Sequence, residues 1–186
     1  MNSTVLQKSI SKVFPNKAVA MAIEILFLLL IGALAVTLHA KLRIPMHIPG
    51  RQGVLFIALL ISARGMSRFP YATIISGMGA SALLLTGALG FHDPFLPMIY
   101  LMLGAVMDVM FTLMSKLSSN IFIISFAGAV SWMFIPFARL IFSGFTTFES
   151  QSFAQGIYLP FLTHFLFGYL GALAGLGLVK LLDKQK

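Results

Sequence analysis

The chain has 186 residues, of which 59% are hydrophobic and only 10% are charged, whereas soluble domains carry roughly 25% charged residues. This composition excludes a soluble domain, because most of the side chains need lipid as their solvent. The net charge of +8 is distributed over helix ends and short connections, which does not indicate nucleic-acid binding, and the absence of cysteine excludes disulfides and thiolate metal sites.

A basic leader, residues 1–17, opens the chain. It carries Lys8, Lys12 and Lys17 and ends at the helix breakers Pro15 and Asn16, so we expect it to lie on the membrane surface. The apolar run that follows is about 20 residues long and lacks a small-residue cleavage site. We therefore expect this run to be retained as a helix.

Six apolar segments predict an all-α, polytopic membrane helix bundle over residues 18–182, followed by a cytoplasmic tail at 183–186. The second segment is short, and the third is rich in small residues that permit close contact between helices. The predicted spans are Ala18–Leu38, Gly53–Ala63, Tyr71–Gly90, Phe95–Met114, Ile121–Phe142 and Gly156–Leu182.

Lysine and arginine in short flanks favour the cytoplasmic side of a membrane. In a six-span topology both termini lie on one side of the membrane, and most of the lysines and arginines lie on that same side. We therefore expect a cell-membrane protein with both termini in the cytoplasm. That side holds Lys8, Lys12, Lys17, Arg64, Arg68, Lys116, Lys180, Lys184 and Lys186, and the other holds Lys41, Arg43, Arg51 and Arg139. Three cations thus remain outside, between the first two spans, and a binding loop is one reason for them.

The connection Lys41–Gln52 contains two prolines and a glycine, which prevent a continuous lipid-facing helix. Within it, Arg43, His47, Arg51 and Gln52 offer hydrogen-bond donors to an anionic or amide-bearing ligand. An interrupted apolar segment of this kind is typical of a transport site. The alternative is a surface loop whose cations contact lipid headgroups.

Several polar or aromatic residues within the predicted spans are further candidates. Asp108 is costly in an apolar helix, so it has either a functional or coupling role or an interhelical structural bond. His164 offers a ligand contact or a bond between helices. Arg139 offers a guanidinium and Trp132 a stacking ring to one ligand. The alternative is that Arg139 anchors the helix at the membrane interface and Trp132 packs against lipid. Tyr100 completes the predicted substrate-binding set.

Enzyme motifs are scarce. The sequence has no phosphate loop, no His-Glu-x-x-His pair and no paired metal-ligand spacing, so we predict no catalytic residues, no metal and no cofactor. One catalytic alternative is a serine–histidine pair formed by Ser76 or Ser81 with His164, which resembles a rhomboid intramembrane protease. The usual Gly-x-Ser-Gly order is not present there, and the small residues around the serines also have a packing explanation.

The layout over nearly the full chain resembles the substrate-binding S components of energy-coupling factor (ECF) vitamin transporters. S components are small, basic, six-helix proteins with cytoplasmic termini. The string Leu42-Arg-Ile-Pro-Met-His-Ile-Pro-Gly50 is similar to the Ile-Pro-rich first loop of biotin-type S components. Met46-His-Ile-Pro49 is also similar to the start of cobalt/nickel-type subunits, but an internal methionine cannot supply the free amino group used there.

The resemblance implies a protein that captures a small vitamin-like molecule under its first loop and performs no hydrolysis itself. The implied partners are a transmembrane coupling subunit, two ATPase subunits and the lipid bilayer. The cations of the loop and helices make an anionic, carboxylate-bearing substrate the expected class. Small residues of the first helix, Gly32, Ala35 and Ala40, are the implied contact with the coupling subunit. The alternative is an unrelated small secondary transporter or a membrane scaffold.

Overall fold

The computed structural model of the chain describes residues 9–10, 12–42, 48–117, 120–145, 153 and 156–184. These residues are mostly helical and contain no strand. Asparagine side chains cap two of the helices: Asn16 Oδ1 accepts from the N–H of Ala18 at 2.9 Å, and Asn120 Oδ1 from that of Phe122 at 2.9 Å. The helices are α1 (Lys17–Lys41), α2 (Gly53–Met66), α3 (Ala72–Leu85), α4 (Leu96–Leu117), α5 (Ile121–Trp132), α6 (Phe134–Phe145) and α7 (Tyr158–Lys184).

The all-α class predicted from the sequence is confirmed for the described residues. Four helical segments among them are long and apolar enough to cross a membrane: α1, α4, α5 taken together with α6, and α7. The helices α2 and α3 are also apolar but have 14 residues each, which gives about 21 Å against a hydrocarbon core of about 30 Å. Four helical segments of this length and composition are those expected of a membrane protein.

The helices pack as a closed ring in the order α1, α3, α4, α5, α7, α2 and back to α1. Glycine allows the closest crossings in this ring. Gly32 and Gly79 lie where α1 crosses α3, and Gly171 and Gly175 lie where α7 crosses α2; a Cβ at any of the four would press into the backbone of the facing helix. Such small-residue contacts are how helices associate tightly in lipid.

The predicted fifth span is divided into α5 and α6 at Met133. Pro136 explains the break, because it lacks the N–H that would bond to the carbonyl of Trp132 and its ring crowds that carbonyl. The amide of Phe137 bonds to the carbonyl of Met133 at 3.2 Å, so the helix resumes at once. The interruption occurs beside Trp132, which is 1% exposed.

With α6 continuing α5, the helices alternate in direction along the chain, and the connections between them lie at two ends of the bundle. We call one end the loop end; it comprises the C-termini of α1 and α6, residues 48–52, residues 91–95 and the N-termini of α4 and α7. The opposite end comprises the N-terminus of α1, residues 67–71, which connect α2 to α3, and the C-termini of α4 and α7.

Candidate functional site

Residues 48–52 close over the loop end. Gly50 has a φ of 78°, a left-handed conformation that favours glycine, and its carbonyl accepts the indole N–H of Trp132 at 3.0 Å. A Cβ at Gly50 would lie 2.7 Å from Nδ1 of His164. The described part of the loop is therefore packed against α5 and α7, with glycine supplying the close approach.

The polar side chains of this segment hold the loop together and leave some atoms unsatisfied. A terminal nitrogen of Arg51 donates to the carbonyl of Ile48 at 3.3 Å, and Nε2 of Gln52 donates to the carbonyl of Leu42 at 2.9 Å. Among the described residues, the buried Nε of Arg51 and Oε1 of Gln52 have no hydrogen-bond partner. A buried donor and a buried acceptor without partners are suited to meeting a polar ligand.

An aromatic layer lies directly beneath the loop. The ring of Phe56 lies 4.7 Å from that of Tyr100 and 5.5 Å from that of Trp132, and the Trp132 ring stacks at 5.8 Å on the imidazole of His164. The hydroxyl of Tyr100 lies 2.8 Å from Nδ1 of His39. The layer joins α1, α2, α4, α5 and α7, so it ties together most of the helices at this end.

Arg51, Arg139 and His164 lie within electrostatic range of His39, at the end of α1. Arg139 also pairs with Asp93 at 3.3 Å. Five predicted substrate-binding residues, Arg51, Tyr100, Trp132, Arg139 and His164, are thus brought together at the loop end, with Gln52 in the same segment. Arg43 and His47 lie outside the described residues.

His39 is the central residue that the sequence interpretation missed. Its ring contacts those of Phe56 and Phe91 edge-on at 6.5 Å and 5.7 Å, in addition to Tyr100. The available signal was its position two residues before Lys41, at the end of the first apolar run and next to the predicted binding loop. Asp93 was missed as well, because its partner Arg139 lies two helices away in the chain.

Chemically, the loop end offers cations, imidazoles and aromatic faces. Arg51 and Arg139 are donors suited to a carboxylate, and the imidazole of His164 stacks on Trp132. Because the carbonyl of Pro160 can only accept a hydrogen bond, Nδ1 of His164, 2.6 Å away, carries the proton in that bond. Among the described residues, no group of three His, Asp or Glu side chains has metal-site geometry.

Asp108 lies at the opposite end, away from the aromatic layer. Its carboxylate accepts from the backbone N–H of Ile74 at 2.9 Å and of Thr73 at 3.3 Å, and it pairs with Nε of Arg64 at 3.3 Å. The carboxylate therefore caps the N-terminus of α3 from α4 and neutralises a cation of α2. This geometry is the interhelical structural bond that the sequence offered as one of two interpretations.

Glu24 holds the same connection from the other side. It is 2% exposed and accepts from the hydroxyl of Ser67 at 2.7 Å and from the backbone N–H of Arg68 at 3.0 Å. It also pairs with Nε of Arg68 at 3.2 Å. Glu24 lies about 10 Å along α1 from Lys17. In the irregular backbone between the two short helices, the N–H of Arg68 bonds to Glu24 and that of Phe69 bonds to the hydroxyl of Ser67, so protein groups satisfy both donors.

The predicted coupling residues of α1 are largely engaged within the bundle. A Cβ on Gly32 would overlap the carbonyl of Ser76, and Ala35 is 1% exposed, while Ala40 is half-buried. The exposed face of α1 lies on the opposite side of the helix and is formed by Val19, Leu26, Leu30 and Leu34.

The geometry gives no support to the serine–histidine alternative. The hydroxyl of Ser76 donates to the carbonyl of Ala72 in its own helix at 3.0 Å, and Nδ1 of His164 bonds to Pro160. Ser76 lies beside Gly32 in the α1–α3 crossing, whereas His164 lies beneath Gly50 at the loop end. No hydrogen bond between these described side chains joins a nucleophile to a base.

Comparisons of the chain with protein-family models, with curated proteins and with solved structures find no match. The functional interpretation of the loop end therefore depends on its own residues and geometry.

Proposed function

We propose that the chain is a membrane-embedded substrate-binding subunit of the ECF S-component type, which captures a small anionic, vitamin-like molecule at the outer face of the cell membrane. In this proposal the short helices α2 and α3 cross the membrane together with the four longer segments, giving six spans and cytoplasmic termini. The chain performs no catalysis and requires no metal or cofactor.

The packing of residues 48–52 supports this proposal. They close onto Trp132 and His164 by the bond from the indole to Gly50, at the end where Arg51, Arg139 and Tyr100 also lie. A cation-bearing segment that rested on lipid headgroups would have no need of a specific contact with two other helices. Packing of the loop over an aromatic layer instead favours a covered binding site.

The charges at this end favour an anion over a cation as the substrate. Arg51 and Arg139 both lie within electrostatic range of His39, and Arg51 retains a buried Nε without a partner among the described residues. Arg139 is paired with Asp93, whereas Arg51 forms no ion pair with a described carboxylate, so a ligand carboxylate would supply its counter-charge and satisfy that donor. The rings of Phe56 and Trp132 supply an apolar surface for the remainder of the molecule.

The proposed partners supply the energy for transport. A transmembrane coupling subunit and two ATPase subunits would bind this chain with affinities that differ between nucleotide states, which would shift it between outward-facing and inward-facing orientations. The exposed apolar face of α1 is the surface we assign to the coupling subunit.

The test is ligand binding by the purified full chain in detergent. We expect a bound small molecule to be released on denaturation and identified by mass spectrometry, and to rebind to the emptied protein. Arg51→Ala should weaken that binding by about 2–5 kcal/mol, at least about 30-fold in Kd, because it leaves a desolvated carboxylate unpaired. Lys41→Ala is the matched control, since Lys41 is an exposed cation at the same end.

Equal affinities of the Arg51 and Lys41 variants would remove Arg51 from the site. Failure to bind any member of a broad panel of carboxylate-bearing vitamins would count against the function itself. Uptake that responds to an ion gradient, without ATPase partners, would indicate the other transporter class, a small secondary carrier.

A further inference from the structure

A cavity of about 220 Å³ lies at the opposite end of the bundle beside the first turns of α1. Two cations, Lys17 and Arg68, line it together with the buried carboxylate of Glu24. Apolar side chains of the leader, Ile10 and Phe14, form another wall. None of these residues belongs to the loop end, so this cavity is independent of the proposed substrate site.

The charge balance of the cavity favours an anion. Glu24 already accepts from Ser67 and from the backbone of Arg68, and it pairs with Nε of Arg68 at 3.2 Å. A guanidinium has five N–H donors, and one carboxylate engages at most two of them, so donors remain on Arg68. Its side chain is 35% exposed. Lys17 forms no ion pair with a described carboxylate, which leaves its ammonium available.

The apolar wall indicates what the anion is attached to. Phe14 is 40% exposed and its neighbour Val13 is 68% exposed, although cations flank them in the sequence at Lys12 and Lys17. Exposed apolar side chains interleaved with lysines are typical of a segment lying in the membrane interface. A phosphate at the cations would therefore place its attached hydrocarbon chain along these side chains.

We propose that the cavity between Lys17 and Arg68 binds the phosphate group of an anionic phospholipid, with Phe14 and Ile10 in contact with its acyl chain. The lipid would join the leader to the connection between α2 and α3. It would thereby add an external brace to the end of the bundle that Glu24 holds from within.

The experiment measures the thermal stability of the full chain in detergent, followed by the fluorescence of its single tryptophan, during titration with phosphatidylglycerol. We expect phosphatidylglycerol to raise Tm and phosphatidylcholine to leave it unchanged. Lys17→Gln should weaken the apparent lipid affinity by more than about tenfold. A lysine that merely adds to the surface potential is worth about 1 kcal/mol, or about fivefold.

Lys180→Gln is the matched control, because Lys180 is an exposed cation at the same end on α7 and does not line the cavity. This variant should lose no more than about fivefold in apparent affinity. A Lys17-dependent rise in Tm with inorganic phosphate alone would support the phosphate site and assign it to a water-soluble ester. Equal losses in the two variants, or no response to phosphatidylglycerol in the wild type, would overturn the proposal.

Discussion

Replacing Asp108 with alanine removes three interactions at once. Its carboxylate pairs with Arg64 at 3.3 Å and accepts two N–H groups of the first turn of α3. The side chains of Asp108 and Arg64 are 7% and 11% exposed, so Asp108→Ala leaves a buried guanidinium without its counter-charge. Loss of one partner of a buried ion pair costs about 3–5 kcal/mol. An average hydrogen bond between membrane helices contributes only about 0.6 kcal/mol.

The two magnitudes are far enough apart for one measurement to decide between them. We expect Asp108→Ala to lower the free energy of unfolding by about 3–5 kcal/mol in an SDS titration followed by tryptophan fluorescence. Trp132 is the single tryptophan and lies at the opposite end from Asp108, so a change in its emission reports unfolding that extends beyond the site of the substitution. Asp183→Asn, which changes an exposed acid near the end of α7, should lie within about 0.5 kcal/mol of the wild type.

The double variant Arg64→Met with Asp108→Asn tests the cause. It should recover part of the loss, because it removes the unpaired charge and keeps an amide oxygen to cap α3. If Asp108→Ala proved as stable as Asp183→Asn, the buried ion pair could not be what fixes α2, α3 and α4 together.

Two further substitutions probe the packing. Gly32→Ala should lower the free energy of unfolding in the same titration by about 1–3 kcal/mol, because its Cβ would overlap the backbone of Ser76. Gly177→Ala is the control: its Cβ meets nothing within 4 Å, so it should be neutral or slightly stabilising. A Gly32→Ala protein as stable as Gly177→Ala would show that α1 and α3 do not approach as closely as described. Trp132→Phe should lower the free energy of unfolding by about 1 kcal/mol, because it removes the donor to Gly50. It should also speed protease cleavage near residue 50, with far-UV circular dichroism unchanged. An unchanged cleavage rate would mean that this bond does not hold the loop.

The all-helical class could be predicted because apolar runs in this chain are long and are separated by prolines, glycines and charges. Helix ends were less predictable. The third span was predicted to reach Gly90 but ends at Leu85, since hydrophobicity continues into a turn in which Gly87 and Gly90 adopt positive φ. Hydrophobicity also continues across Met133, and only Pro136 signals the break there.

The pairing of the polar residues could not be predicted from a single sequence. The contacts between Arg64 and Asp108, Arg68 and Glu24, and Arg139 and Asp93 each join residues far apart in the chain. Their partners depend on the order of helices around the ring. The candidates at the loop end were identified individually, because a charged or aromatic side chain in an apolar helix is conspicuous, and their role in binding stays a prediction.

His39 shows the limit of that reasoning. A histidine at the end of an apolar helix is unremarkable by composition. Only its position in the fold, in contact with Tyr100 and Phe91 and within electrostatic range of the two arginines, makes it a candidate. Asp108 is the opposite case, a residue that was identified from the sequence but has structural contacts. It was conspicuous in the sequence as a carboxylate in an apolar helix, yet its contacts are those of a helix cap and an ion pair.

In the proposed topology, the loop end faces the outside of the cell and the opposite end faces the cytoplasm. The natural chain has no cysteine, so single-cysteine variants can be labelled with a membrane-impermeant maleimide in intact cells. Lys41→Cys, at the loop end, should be labelled from outside, and Lys180→Cys, at the opposite end, only after lysis. Labelling of Lys180→Cys in intact cells, with Lys41→Cys protected until lysis, would contradict the claim.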